Sequence, residues 1–154
     1  YLATIKLGST TNTLDLEGEV VKEKSIPTLS HNMIEDVLIS FQGESMQIPP
    51  MFSAKKVGGK KLYELARKNI VVDREPAKIT IDKINLIKYT KDKILFSVTC
   101  SKGTYVRVLG NDIAQKLGTV GYLESLVRTR VGSFSIDKSK TIENFESSWK
   151  SSVQ

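Results

Sequence analysis

The sequence predicts one α+β domain, in which a mixed, largely antiparallel sheet is flanked by helices and carries a loop–helix insertion. Segments of alternating apolar residues, two of them joined by a short turn, predict the strands. Segments with apolar residues at helical spacing, each placed between a capping residue and a glycine, predict the helices. The length of 154 residues falls within the roughly 100–200 residues of one domain. No internal repeat interrupts this pattern.

The first strand is predicted at the start of the chain, where apolar side chains occupy every odd position from Tyr1 to Leu7. A polar stretch between two glycines (8–18) predicts an ordered loop, and a short strand follows at 19–23. Because natural chains start with methionine and rarely with a formed strand, we expect further sequence ahead of Tyr1.

The first helix is predicted after Pro27, with Ser30 or Asn32 as its N-terminal cap and Gly43 as its end. Its apolar face consists of Met33, Ile34, Val37, Leu38 and Phe41.

Residues 43–74, which we call the insertion, have a different composition. Paired prolines and paired glycines predict a long loop at 47–59, and a short helix is predicted at 60–68. Six basic residues lie between Lys55 and Lys68, against the single acid Glu64. Much of the excess positive charge of the chain is therefore in the insertion.

The second half of the chain begins with two predicted strands, Ala77–Tyr89 and Lys93–Cys100, which are joined by a hairpin turn. A helix capped by Thr104 and stopped by Gly118 follows. Its apolar residues are Val106, Leu109, Ile113 and Leu117.

An apolar segment around 122–126, a strand through Val131 and Phe134 and a weak helix near 142–145 complete the predicted domain, which covers 1–146. The serine-rich segment 147–154 is expected to be a frayed tail.

Composition excludes several classes of site. One cysteine, Cys100, and one histidine, His31, are too few for a disulfide or for a zinc or iron–sulfur site, which leaves a carboxylate-only magnesium site as the sole metal option. No apolar run approaches the roughly 20 residues of a membrane span, and the residues from Tyr1 onward do not have the charged–apolar–small pattern of a signal peptide. The 23 Lys and Arg residues against 17 Asp and Glu residues favour a polyanionic partner, although charge alone is a weak indicator.

Four motifs occur in a fixed order along the chain. They are L-G-x-x-T-x-T-x-D-x-x-G at 7–18, Q-x-P-P-x-x-S-A-x-K at 47–56, Y-x-x-A-R at 63–67 and C-S-K-G-T-Y-V-R at 100–107. Together they make the chain, over about residues 1–134, resemble the bacterial tRNA pseudouridine synthase B (TruB) family. Val127 departs from the arginine that is common in the family, and Phe52 departs from its usual tyrosine.

The resemblance implies the pseudouridine synthase fold and the isomerisation of a uridine in the T loop of tRNA to pseudouridine, with no metal or cofactor. It also implies that the insertion is a thumb that grips the T arm. Cationic side chains suit contact with RNA phosphates. The RNA-binding residues expected on this basis are Lys55, Lys56, Lys60, Lys61, Arg67 and Lys102.

Four residues match positions that the family uses at its site. Arg107 matches an arginine that pairs with the catalytic aspartate, and a cation at a helix start also requires an anionic partner on physical grounds. Tyr105 matches a ring that contacts the target nucleotide. Tyr1 matches a tyrosine that stacks on the flipped base and takes part in proton transfer, and Leu126 matches a pocket-lining leucine. The ordinary alternatives are a surface ion pair for Arg107 and packing for the two tyrosines.

The nucleophilic aspartate of the family belongs to a G-x-L-D-P motif ahead of the strand that Tyr1 begins, and this sequence lacks that motif. Asp15, in Thr-Leu-Asp-Leu, imitates it. No proline follows Asp15, however, and the residue already belongs to the 7–18 motif, so we expect it to organise its loop by accepting backbone amides. We therefore expect these residues alone to be inactive, and the protein with the preceding segment to be active.

Other chemistries have weaker signals. His31 has no accompanying nucleophile motif, the acids at 15, 17 and 19 are typical of a solvated loop, and Gly58-Gly59-Lys60 is only half of a phosphate-binding loop. A non-catalytic module that binds the tRNA T arm remains an alternative, and an unrelated basic protein, such as a ribosomal protein, is a weaker one. For the enzyme we expect a cytoplasmic monomer with no membrane contact.

Overall fold

The computed structural model describes residues 1–152, and within them the chain forms eleven strands and four α-helices. The strands are β1 Leu2–Leu7, β2 Ser9–Thr11, β3 Val20–Glu23, β4 Gly43–Gln47, β5 Lys56–Val57, β6 Lys60–Lys61, β7 Ala77–Tyr89, β8 Lys93–Cys100, β9 Gly121–Val127, β10 Arg130–Val131 and β11 Phe134–Ser135. The helices are α1 His31–Ile39, α2 Leu62–Ala66, α3 Val106–Lys116 and α4 Ile142–Ser152.

The central sheet has five strands in the order β4-β7-β8-β1-β9, and each neighbouring pair is antiparallel. This confirms the predicted α+β class. The alternation predicted for β1 is observed as burial, since Ala3, Ile5 and Leu7 are 0%, 0% and 2% exposed. β7 and β8 have the predicted bounds, and the alternation predicted for β8 is observed as burial.

Helices α1 and α3 pack against the sheet and share one hydrophobic core with it. Ile34 and Leu38 come from α1, and Leu109 and Ile113 from α3. Contact between α3 and β9 requires a glycine at position 121, because a Cβ there would lie 2.7 Å from the Cβ of Ala114 and 2.9 Å from the carbonyl oxygen of Lys6. This close approach packs the last turn of α3 against β9 and β1.

Two predicted helix boundaries are wrong. Gly43 does not end α1 but opens β4, a strand that the sequence analysis missed. β4 is an edge strand in which only Gln47 is buried, so it has no alternating pattern to detect. The N-terminal cap of α3 is Tyr105 rather than Thr104, and no side chain of its own caps it.

The insertion contains more regular structure than its prolines and glycines predict. β5 and β6 form a small hairpin in which Gly58 and Gly59 have φ values of +57° and +82°. Positive φ at both central residues is the requirement of a type I′ turn, which glycine meets without strain. The predicted helix is present as α2, and its Leu62 is fully buried.

The predicted helix near residue 142 is present as α4, but it continues to Ser152. The expected frayed tail is therefore wrong for 147–152, and residues 153–154 of that tail lie outside the described residues. The helix was not predicted beyond residue 145 because serine, which is frequent there, has a lower helix propensity than alanine or leucine. In the part of the chain that the structure describes, no helix is both long and apolar enough to span a membrane.

Candidate active site

A cavity of about 640 Å³ opens where the start of β1, the middle of β9, the loop after β2 and the first turn of α3 meet. Its walls include all four residues that the sequence analysis assigned to the site, namely Tyr1, Tyr105, Arg107 and Leu126. Residues separated by up to 125 positions in the chain therefore face one space. A cavity of this volume is typical of small-molecule sites, which span roughly 300–1,000 Å³.

Arg107, in the first turn of α3, is held by two acceptors. Its Nη1 lies 2.7 Å from Oδ2 of Asp15, and its Nη2 donates to the backbone carbonyl oxygen of Phe52 in the insertion. Only 20% of the Arg107 side chain and 24% of the Asp15 side chain are exposed. The guanidinium has more N–H donors than these two contacts use, so it can bind a further anion.

Asp15 is fixed by its own loop. The Thr13 hydroxyl donates to Oδ1 at 2.6 Å, and the backbone N–H of Glu17 donates to the same oxygen at 3.2 Å. The backbone of this loop is also attached to β9, because the N–H of Leu123 donates to the carbonyl oxygen of Leu14 at 2.9 Å. The expected amide-accepting role of Asp15 is confirmed. Its ion pair with Arg107 was not foreseen.

Tyr105 is held through its backbone by Gln47, the last residue of β4. The N–H of Tyr105 donates to Oε1 of Gln47 at 2.8 Å, and Nε2 of Gln47 donates to the Tyr105 carbonyl oxygen at 3.2 Å. The Gln47 side chain thus holds Tyr105, the residue at the cap position that the sequence analysis assigned to Thr104. Sequence pattern could not identify this contact, because the two residues are 58 positions apart.

Tyr1 and Leu126 lie on neighbouring strands at the mouth of the cavity. Leu126 pairs with Ala3 across β1 and β9 and is 44% exposed. The Arg128 guanidinium carbon lies 5.2 Å from the centre of the half-buried Tyr1 ring, which is the geometry of a cation–π contact. Arg128 also lines the cavity and is a site residue that the sequence analysis missed.

The basic residues of the insertion are not neutralised within the described residues. Lys56, Lys60 and Arg67 are exposed, whereas Lys55 and Lys61 are half-buried. Lys61 and Arg67 lie 5.5 and 5.4 Å from the centre of the Tyr63 ring, and Lys55 donates to the carbonyl oxygen of Glu75. Over residues 1–152, none of these cations forms an ion pair with a carboxylate.

Lys102, the remaining predicted RNA-binding residue, is exposed on the turn before α3. The next residue along, Gly103, lines the cavity. Lys102 is therefore adjacent in sequence to a residue of the cavity wall, and it does not belong to the insertion.

Two titratable groups near the site elements have shifted pKa values. Burial raises the pKa of the Cys100 thiol, at the end of β8, so the thiol is protonated at neutral pH. Burial also raises the pKa of the Asp112 carboxyl on α3, against the opposing effect of a hydrogen bond from Asn111. Within the described part of the chain, no three His, Cys, Asp or Glu side chains are grouped so that they could hold a metal ion.

Comparison with known proteins gives consistent results. The family model described as TruB family pseudouridylate synthase (N terminal domain) matches residues 1–106. The tRNA pseudouridine synthase B of Psychrobacter arcticus is 49% identical over 146 residues, which are 95% of this chain and 38% of that protein. The Hydrogenovibrio crunogenus protein of the same name is 47% identical, over 95% of this chain and 48% of its own length. The chain thus spans less than half of these relatives.

Two solved structures share the fold at lower identity. A chain from the crystal structure of a Cbf5–Nop10–Gar1 complex has a TM-score of 0.61 and 23% identity, covering 89% of this chain and 31% of that one. A chain from an H/ACA RNP bound to a substrate RNA containing 2′-deoxyuridine has a TM-score of 0.61 and 18% identity, covering 99% and 35%. On the family match and these relatives, the chain belongs to the TruB family of pseudouridylate synthases.

Proposed function

We propose that this chain is the base-binding part of a tRNA pseudouridine synthase, which converts a uridine in the T loop to pseudouridine. The observation that carries the proposal is the cavity shared by Tyr1, Tyr105, Arg107 and Leu126. A uridine inside a folded RNA arm is accessible to chemistry only after its base has left the stack and entered a pocket. The cavity offers such a base aromatic and apolar walls beside a cation.

The proposed reaction is an isomerisation. The N1–C1′ bond between uracil and ribose breaks, the uracil turns within the pocket, and C5 bonds to C1′. C5 then loses its proton, and N1 gains one, so the overall composition is unchanged. Tyr1 lines the cavity, and its proposed roles are to stack on the uracil and to take part in the proton transfer. The pocket contributes orientation, and the bound RNA would complete its shelter from water.

The attacking carboxylate is proposed to come from the G-x-L-D-P segment that this sequence lacks. Arg107 would bind it with the N–H donors left free by Asp15 and Phe52. Asp15 itself is a poor candidate for attack, because Arg107, the Thr13 hydroxyl and the Glu17 amide already hold its two carboxylate oxygens. We assign Asp15 the role of orienting Arg107.

The insertion is proposed to grip the T arm through its unneutralised cations. Lys55, Lys56, Lys60, Lys61 and Arg67 lie on the insertion, and Lys102 lies near the cavity. Cations without carboxylate partners release counterions from RNA phosphates on binding, which favours association at low salt. A tRNA substrate also places the protein in the cytoplasm, where we propose that it acts as a monomer.

Tritium release tests the proposed activity. A tRNA transcript carrying tritium at C5 of uridine loses the label to water when C5 forms its new bond. We expect no tritium release with residues 1–154 alone. We expect release with the protein that includes the G-x-L-D-P segment, and this release should be lost when the T-loop uridine is replaced by cytidine. Turnover by residues 1–154 alone would refute the assignment of the nucleophile to another segment.

The alternative is a module that binds the T arm without chemistry. The observation that favours it is the ion pair between Arg107 and Asp15, because this pair gives Arg107 an anionic partner without any attacking carboxylate. In that case neither protein releases tritium, whereas both bind a T-arm hairpin more tightly than an unrelated hairpin. Family membership gives no support to the third possibility, an unrelated basic protein such as a ribosomal protein.

A further inference from the structure

The geometry points to Gln47 as a positioning residue that holds Tyr105 and Arg107 in place for the reaction. This inference rests on the proposed function for its catalytic consequence, although its structural part can be tested separately. Gln47 does not line the cavity, and the hydrogen bonds of its side chain in the described residues go to the backbone of Tyr105, which does. It therefore acts through the first turn of α3.

Gln47 occupies a place where both ends of its amide are needed. The side chain is 7% exposed, so water cannot substitute readily for a lost partner. Oε1 accepts from the N–H of Tyr105, and Nε2 donates to the carbonyl oxygen of the same residue. Among the common side chains, only an amide offers one donor and one acceptor in this arrangement, whereas an ionised glutamate only accepts.

The residue that Gln47 holds is the cap of α3, which has no side-chain cap of its own. The carbonyl oxygen of Tyr105 also accepts the first bond of the helix, from the N–H of Leu109 at 3.1 Å. Fixing Tyr105 therefore fixes the direction in which the helix starts. Arg107 is two residues further on, so its reach to Asp15 depends on that direction.

The insertion makes a second contact with the same turn. Phe52, five residues after Gln47, accepts from Nη2 of Arg107 through its backbone carbonyl oxygen. The segment 47–52 near the start of the insertion thus holds two cavity residues: Tyr105 by its backbone and Arg107 by its guanidinium. Loss of Gln47 would leave the two contacts of Arg107, with Phe52 and Asp15, to hold the turn.

Two substitutions separate the donor and acceptor functions of Gln47. Gln47→Met keeps the length and removes both polar groups, and Gln47→Glu keeps an acceptor but places a carboxylate beside the Tyr105 carbonyl oxygen. Gln42→Glu, an exposed change five residues earlier, is the matched control. Thermal unfolding is measured first, so that rates are compared only where each variant is folded.

Single-turnover tritium release and T-arm affinity are then measured with the protein that includes the G-x-L-D-P segment. We expect both Gln47 variants to react at least about 10-fold more slowly, because small misplacement of reacting groups costs up to about 100-fold in rate. The dissociation constant for the T arm should change less than about 2-fold. The Gln47→Glu defect should shrink towards about pH 5, where a protonated carboxyl regains a donor, whereas the Gln47→Met defect should not.

Wild-type rates in both folded Gln47 variants would overturn the inference, and so would equal losses of rate and RNA affinity. If the unaltered protein itself releases no tritium, the proposed function fails, and amide hydrogen exchange then decides the structural part. Gln47→Met should speed exchange at the N–H of Tyr105, which donates to Gln47, and leave the later turns of α3 protected. Unchanged protection of the Tyr105 N–H would show that Gln47 does not hold the turn.

Discussion

Arg107 and Asp15 lie 92 residues apart in the sequence, and the fold brings Nη1 to 2.7 Å from Oδ2. Neither residue type is rare, and each has an ordinary explanation on its own. Their ion pair points to a functional role because both residues line the cavity that Tyr1 and Tyr105 also line. An exposed ion pair contributes little, but a partly enclosed one fixes the direction of a guanidinium.

Replacing Asp15 tests that orienting role. Asp15→Asn keeps an oxygen for the Thr13 hydroxyl and the Glu17 amide, so the loop should keep its shape while the charge on Arg107 loses its partner. We expect tritium release by the active protein to slow by roughly 10- to 100-fold, in the range caused by misplacing a reacting group.

Glu19→Gln, an exposed change in the same loop, is the control and should stay within about 2-fold of the wild-type rate. A wild-type rate in Asp15→Asn would contradict the orienting role. Complete loss of activity, equal to that of a variant lacking the G-x-L-D-P aspartate, would instead favour Asp15 as the attacking group.

The pH dependence of stability includes a contribution from Asp112. Burial raises the pKa of this carboxyl in the folded chain, so the folded state binds its proton more tightly than the unfolded state. Stability from this group is therefore greatest at low pH and falls as pH rises through the raised pKa. We expect Asp112→Asn to raise the melting temperature at about pH 7 and to have a smaller effect at about pH 4. The exposed change Asp36→Asn should show no such difference.

At the scale of elements, strands and helices were predicted where the residue pattern within the element itself indicates its structure. β8 was predicted to the residue because one buried face imposes its alternation. The bounds of β7 were also predicted, although its buried positions change step at the register shift between Ile81 and Lys83. β4 was missed because an exposed edge strand has no such constraint. The cap of α3 was assigned to Thr104 because local chemistry favours threonine, whereas the actual contact comes from Gln47, 58 positions away.

The same limit applies to the site. Tyr1, Tyr105, Arg107 and Leu126 were predicted from motifs, and they line one cavity. The partners of Arg107 and Tyr105 were not predicted, because Asp15 lies 92 positions from Arg107 and Gln47 lies 58 positions from Tyr105. Pairing between distant positions carries no signal in one sequence.

The insertion gives a prediction about salt. Changing Lys56, Lys60 and Arg67 to Gln removes three exposed cations, and each phosphate contact contributes about 0.9 to the slope of log affinity against log salt for a duplex. We expect T-arm affinity to fall at low salt and the slope to become shallower by roughly 2 to 3.

The control variant changes Lys83, Lys88 and Lys91 to Gln. These lysines are also exposed and their loss alters net charge equally, but they lie on β7 and the turn after it. If both triple variants shift the slope alike, the insertion has no special role and the effect is one of net charge. If only the insertion variant shifts it, the grip is localised as proposed.

At the scale of the whole molecule, one core supports both the sheet and the site. The buried cluster runs without a break from α1 through β7, β8 and β1 to α3 and Leu123 of β9. Two of these elements also form walls of the cavity, α3 through its first turn and β9 through its middle. The described part of the chain is therefore expected to unfold as one unit, with the site lost in the same transition as the sheet.

Phe96→Ala tests this unity. Phe96 is fully buried in β8, and it does not line the cavity. Its truncation should lower the free energy of unfolding by about 3–5 kcal/mol, the usual cost of removing a core aromatic. Phe134→Ala, at a ring that is 80% exposed, should change it by no more than about 0.5 kcal/mol. In urea denaturation, both variants should keep a single transition, whether it is followed by circular dichroism or by loss of T-arm binding. Separate transitions for the two probes would show that the insertion and the site are stabilised apart from the core.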